Sequence, residues 1–382
     1  MKGMVRGLLL LLAVLLTGWM LPVPAAGEET SQICCTALVE AQTGMCLGGN
    51  EPERRTAIGS QTKLMTVYLT AEAAASGGLK LDEAITVSPA AEHAPGATVW
   101  LLAGERMTVG DLLKAVIIGN ANDACIALAC RISGTEKQFV AEMNAAAISL
   151  GMRHTRFADC TGLSAENEST AQELGLLCRA LLQYDFLTPM FKTWRDFLRG
   201  GGTELVSENR LTKGYEGLLG MKAGHGETSG YTLTAAAEQE GLCMIAVVLG
   251  CDDPDARFTK AKTMLKEGFT GYYVTTPEDP AEFMRPVRVR YGTADAVLIA
   301  SGELLSAAIP KGEQLSSVIV LPRWVDAPVQ QGEKIGTAAV YCADTLIYET
   351  PLIAAEDVPR RTFRDALQML LRALFRGRRN QQ

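Results

Sequence analysis

Ser60-Gln61-Thr62-Lys63 places a hydroxyl and an amine three positions apart, at the predicted start of a helix. At that spacing the two side chains share one helix face, one turn apart. A serine hydroxyl is a weak nucleophile until a base takes its proton. A lysine can be that base when burial and nearby charge depress its pKa. The helix start adds a backbone N–H and a positive dipole end beside a developing oxyanion. The chemistry in view is acyl transfer through a serine ester. Taken alone, the pair reads more readily as a capped helix with a surface lysine, so its weight comes from its company.

That company is specific. Asn120-Ala121-Asn122 falls about 60 residues on, in a short turn between two helical stretches, and Lys222-Ala223-Gly224 about 100 further, on a predicted strand. Other chemistries lack their residues. The chain has three histidines, His93, His154 and His225, and contains no HExxH, GxSxG, GxxxxGK[ST] or GxGxxG. A histidine-dependent triad, a zincin and a nucleotide site are therefore poorly supported, and neither metal nor cofactor is expected. The net charge of −7 argues against nucleic acid as a partner. Ten cysteines show neither CxxC nor zinc spacing, and are expected to be mostly free thiols.

The elements that must position these residues can be read from pattern. Two short runs between Ile33 and Leu47 flank Gln42-Thr43-Gly44, a hairpin signal. Helices are predicted over 62–75, from Thr108 with Asp111 as a capping box, and over 123–130, 136–150, 170–182 and 256–269. Strands are predicted over 218–221, 231–236 and 242–249, as an antiparallel meander. Strands at both ends thus enclose a helical middle, a mixed α/β body over 27–275. Thr275 to Pro280 reads as a linker, and alternation at Val287/Val289, Val318/Val320 and Leu346/Tyr348 as a small all-β domain over 283–356.

Both ends are basic. Residues 1–26 carry Lys2 and Arg6 before an apolar run and Ala25-Ala26-Gly27, the pattern of an export signal. Residues 360–382 carry seven arginines against Asp365, so the net −7 divides into +2, −15 over 27–359, and +6. Phe363, Ala366, Leu367, Leu370, Leu371, Leu374 and Phe375 form one stripe, so 357–382 reads as a basic amphipathic helix suited to an anionic membrane surface.

SxxK, then SxN between helices, then K[TS]G on a strand is the signature of serine penicillin-recognising enzymes. Longer runs agree: "GSQTKLMTVYLTAE", "TVGDLLKAVIIGNANDACIALA", "FADCTGLSAENESTAQELGLLCRALL" and "NRL…GLLGMKAGHGETSGYTL". With the β domain and basic tail, the chain resembles the low-molecular-mass penicillin-binding proteins, the serine D-alanyl-D-alanine carboxypeptidases, over nearly its whole mature length. The resemblance implies a β-lactamase-like catalytic domain acting on peptidoglycan pentapeptide stems and acylated by β-lactams, at the outer face of the cytoplasmic membrane. It implies Ser60 as nucleophile, Lys63 as base, Asn122 on the substrate amide and Lys222 on the terminal carboxylate. It also implies that Gly224 admits substrate backbone and that the N–H groups of Ser60 and His225 form the oxyanion hole. Two positions depart from the family pattern. Asn120 stands where a serine is usual, and a carboxamide shuttles no proton at neutral pH. Ala223 stands where a threonine or serine hydroxyl is usual. These leave open a slowed carboxypeptidase or a peptidoglycan- and penicillin-binding protein with little turnover. A class A β-lactamase fits less well, because no ExxLN follows Glu166 and Glu168.

Overall fold

The computed structural model describes residues 33–280, 284–365 and 367. The export signal expected over 1–26 and most of the predicted tail helix lie outside them.

The apolar run 242–251, LCMIAVVLGC, is too continuous for a half-exposed strand, which implies burial on both faces. In the structure it is strand β6 (Leu242–Cys251), paired antiparallel with β5 (Gly230–Gln239) and with the first strand, β1 (Cys35–Glu40). The sheet runs β4 (Ala223–Gly226), β5, β6, β1, β2 (Cys46–Gly48), with β3 (Leu218–Gly220) also on β5. Residues alternate between its two faces as the pleat requires. Ile245, Val247 and Leu249 join the large core beneath the helices, whereas Met244, Ala246 and Val248 join a second core with Phe258 and Leu265 of helix α6 (Ala256–Gly271).

The helical layer comprises α1 (Lys63–Ala75), α2 (Val109–Ile117), α3 (Asn122–Ser133), α4 (Glu136–Ser149) and α5 (Ala171–Leu181). Three helices start where local chemistry says they must. The hydroxyls of Thr108, Thr135 and Thr170 accept from the N–H groups of Asp111, Gln138 and Glu173, which satisfies donors the helix cannot.

After α6 the chain enters β7 (Tyr272–Thr275), which pairs with residues 307–310 of the β domain, so the expected linker begins only beyond a strand shared between the two parts. The main hairpin of the β domain, Lys334–Cys342 with Thr345–Ala354, turns at Ala343-Asp344. The tail helix, however, does not start at Asp357–Pro359. Val358 exchanges backbone hydrogen bonds with Val329 and is buried in the β-domain core, and Arg360 bridges Gly292, so these residues are extended. Helical residues begin at Phe363, after Thr362, whose hydroxyl accepts from the Asp365 N–H at 3.3 Å. Among the described residues no helix is long and apolar enough to cross a membrane.

Candidate active site

Ser60 stands on a 3-10 turn, Gly59–Thr62, that runs directly into α1 at Lys63. The turn is held from two sides. The Gln61 amide donates to the Lys222 carbonyl and to Thr232 Oγ1, both at 3.1 Å, and its oxygen accepts from Thr234 Oγ1 at 3.0 Å. These bonds tie the Ser60 turn to the sheet. On the other side, Gly162 has φ +88° and lies so close to the Gly59 carbonyl that a Cβ there would fall on its oxygen. Asp159 shapes that loop by accepting from the N–H groups of Thr161 at 2.7 Å and Ser164 at 2.6 Å. Burial pushes the Asp159 carboxyl up, and these donors more than reverse it, which leaves it below its usual range.

Lys63 is 2% exposed, and its Nζ donates to the Thr161 carbonyl at 2.6 Å. Desolvation pushes its pKa below the ordinary 10.5. The Lys222 ammonium is also buried, with Nζ donating to the Val116 carbonyl at 3.2 Å. Burial, with the charge of Lys63 adding to it, brings Lys222 down to about 7. Two interacting amines removed from water favour one proton between them over two.

Asn120 lies in the turn between α2 and α3 at φ +57°, a left-handed conformation that asparagine tolerates better than most residues. Its Nδ2 donates to Ser60 Oγ at 3.4 Å and to Glu208 Oε1 at 3.1 Å. Asn122 opens α3. Its Nδ2 donates to the Pro95 carbonyl at 2.6 Å and its N–H to the Ala97 carbonyl at 2.7 Å. The Oδ1 atoms of both asparagines are buried without a partner. An unpaired buried acceptor costs about 1–3 kcal/mol, a cost that a ligand N–H would remove.

Ser60, Lys63, Asn120, Asn122 and His225 line one cavity of about 520 Å³, closed in part by Gly162. Lys222, Ala223 and Gly224, the other residues expected from sequence, do not line it. Gly224 touches Ser60 from the sheet side, where a Cβ would come within 2.6 Å of Ser60 Cβ. Ala223 is buried in the second core and presents no polar group. The His225 ring stacks on Tyr231, with centroids 4.3 Å apart. Sequence reading passed over Gln61, Asp159, Glu208 and Arg257. The Arg257 guanidinium donates to the Gly224 and Thr232 carbonyls and lies over the Tyr231 ring. Of these four, Asp159 and Gln61 fall inside runs that carried the resemblance, but nothing in the runs assigned them a partner. A larger cavity, about 650 Å³, is lined by Glu40, Asp185, Glu238 and Cys243. Burial pushes the Cys243 thiol up to about 12, which leaves it a poor nucleophile.

Residues 26–253 match the family described as D-alanyl-D-alanine carboxypeptidase, and residues 280–360 match the penicillin-binding protein 5 C-terminal domain. The chain belongs to the D-alanyl-D-alanine carboxypeptidase family. Among relatives of this carboxypeptidase, DacF of Bacillus subtilis is 33% identical over 92% of this chain and 95% of its own length. DacC of Escherichia coli is 30% identical over 85% of this chain and 84% of its own. Penicillin-binding protein 5 of Haemophilus influenzae superposes with a TM-score of 0.76 at 24% identity, covering 85% of this chain and 97% of that one. Penicillin-binding protein D2 of Listeria monocytogenes, solved in its ampicillin-bound form, has a TM-score of 0.56 at 27% identity over 62% of this chain and 96% of that one. The chain is thus a low-molecular-mass penicillin-binding protein of the serine carboxypeptidase type, with the expected mixed α/β catalytic domain and C-terminal sheet domain.

Proposed function

We propose that this carboxypeptidase removes the terminal D-Ala from peptidoglycan pentapeptide stems through a Ser60 acyl-enzyme. The observation that carries the reading is the desolvated Lys63 amine one helical turn from the Ser60 hydroxyl, in a cavity whose two asparagines hold unpaired acceptors. Lys63, whose burial favours the neutral amine, takes the Ser60 proton as Oγ attacks the penultimate D-Ala carbonyl. The N–H groups of Ser60 and His225 hold the oxyanion. Lys63 then returns the proton to the leaving D-Ala amine. A water deprotonated by the same amine hydrolyses the ester and regenerates Ser60. Asn122 Oδ1 accepts the substrate amide N–H. Lys222, buried behind the cavity wall, attracts the terminal carboxylate electrostatically, and the carboxylate's approach raises its pKa again. β-Lactams acylate Ser60 in the same way, as the ampicillin complex of the Listeria relative leads one to expect.

The protein is exported by residues 1–26 and held at the outer face of the cytoplasmic membrane by the basic segment 360–382, whose +6 charge complements anionic lipid. The test of the reaction pairs a fluorescent penicillin with a D-Ala-D-Ala peptide, comparing wild type with Ser60→Ala. Labelling and D-Ala release, both lost in the variant, support the enzyme. Labelling without release favours the binding protein that Asn120 and Ala223 leave open, and absence of both from wild type overturns the mechanism.

A further inference from the structure

Asn120 is where the site departs from its family at the hydroxyl next to the nucleophile, and the structure gives this asparagine a partner 88 residues away. Its Nδ2 is shared between Ser60 Oγ and Glu208 Oε1, at 3.4 and 3.1 Å. A carboxamide has two faces, one donating and one accepting, and near a serine hydroxyl either can be presented. A carboxylate only accepts, so Glu208 permits one of them: Nδ2 toward Glu208 and Ser60, with Oδ1 turned away as the unpaired buried acceptor. Glu208 is itself held in place. Its neighbour Asn209 is buried, donates through Nδ2 to the Met221 carbonyl at 3.4 Å, and caps the turn 210–213 by accepting from the Leu211 N–H. Ser207 Oγ accepts from the Asn209 N–H at 3.2 Å, which fixes the backbone on the other side of Glu208. The carboxylate also acts on the cations behind the cavity, since its charge favours the ammonium forms of Lys63 and Lys222 and the guanidinium of Arg257.

We propose that Glu208 is a positioning residue of this active site: it locks the Asn120 carboxamide with Nδ2 on Ser60 Oγ, so that an asparagine can serve where a hydroxyl needs no such lock. Asn120 moves no proton. The Ser60 proton passes to Lys63, and the Nδ2–H stabilises Oγ twice, as the nucleophile in acylation and as the leaving oxygen in deacylation. The lock matters because the flipped amide would set a carbonyl oxygen against the charge developing on Oγ. This inference rests on the serine mechanism proposed above.

A double-mutant cycle tests it, read as the rate constant of covalent labelling by a fluorescent penicillin, with melting temperature as the check on folding. Glu208→Ala is expected to slow acylation about tenfold, the order expected for a lost hydrogen bond to a charged group. Glu208→Gln keeps an acceptor for Nδ2 and is expected to recover to within about threefold of wild type. With Asn120→Ser in place there is no amide to orient, and adding Glu208→Ala is expected to change the rate less than about twofold. Three results overturn the proposal: Glu208→Ala within twofold of wild type, Glu208→Gln no faster than Glu208→Ala, or an equal loss in both backgrounds. Failure of the underlying mechanism looks different, because wild type would then go unlabelled or Ser60→Ala would still be labelled.

Discussion

Around Ser60 the buried side chains are polar: Lys63, Lys222, Asn122 and Gln61 are each 3% exposed or less. On the surface of the β domain the reverse holds, and the apolar side chains of Val318, Val320 and Trp324 stand 53%, 64% and 44% exposed. The first arrangement costs free energy unless every group has a partner, and nearly all have one through Gln61, Thr161 and Val116. The groups left without partners include Oδ1 of Asn120 and Asn122, in the cavity wall where substrate would supply them. The second arrangement is a sheet with a small core, Val289, Ala338, Leu352 and Val358 among its members, and an edge strand at residues 315–320. The difference separates what the molecule needs for chemistry from what it needs only for standing. Polar burial marks the cavity around Ser60, and the β domain rests on a smaller apolar core of its own.

Substitutions should divide along that line. Lys63→Ala removes the base and is expected to lower acylation by about 10²–10⁴-fold with little change in melting temperature; penicillin labelling within tenfold of wild type would remove Lys63 from the mechanism. Leu352→Ala opens a cavity in the β-domain core and is expected to cost about 2–5 kcal/mol in urea unfolding. It should leave labelling of the cavity within about twofold, and a proportionate loss of both would erase the distinction between the two regions. Asn120→Ser with Ala223→Thr restores the family pattern and is expected to raise D-Ala release about tenfold, the worth of a hydrogen bond to a charged group. Unchanged release would show that the departures do not slow the enzyme.

The two lysines give the pH dependence. The proposed mechanism needs Lys63 as the neutral amine, and burial holds its pKa down, so acylation should rise with pH at an inflexion below 10.5. The same mechanism needs Lys222 charged, and burial brings it down to about 7, so affinity for a carboxylate-bearing substrate should fall as pH passes above that value. Arginine stays charged throughout, so Lys222→Arg should abolish the alkaline fall in kcat/KM; persistence of the fall would place it on another group. The smallest effect is expected at the exposed sheet, where Val318→Thr with Val320→Thr should shift stability by less than about 0.5 kcal/mol per site. A larger loss would mean that this surface is covered in solution.

Much of this was legible in the chain before any coordinates. The Thr108 cap with Asp111, the helices over 136–150 and 170–182 and the strand over 242–249 depend on neighbours a few residues away. So does the Ser60–Lys63 pair, which a helix start puts on one face. The tail's helical stripe misled at its start, because Val358 finds a core partner in Val329 that periodicity cannot see.

By itself the sequence determined the reagents of this protein: a hydroxyl, two amines and two carboxamides at spacings that local structure turns into a serine acyl-transfer site. Only the tertiary structure decided their condition. Burial beneath the Thr161 loop lowers the Lys63 amine, the proximity of Lys63 and Lys222 lowers the second, and the segment around Glu208 meets Asn120 across 88 residues. Those are effects of desolvation and of contacts distant along the chain, which arise only when the sheet and the helical layer close on one another.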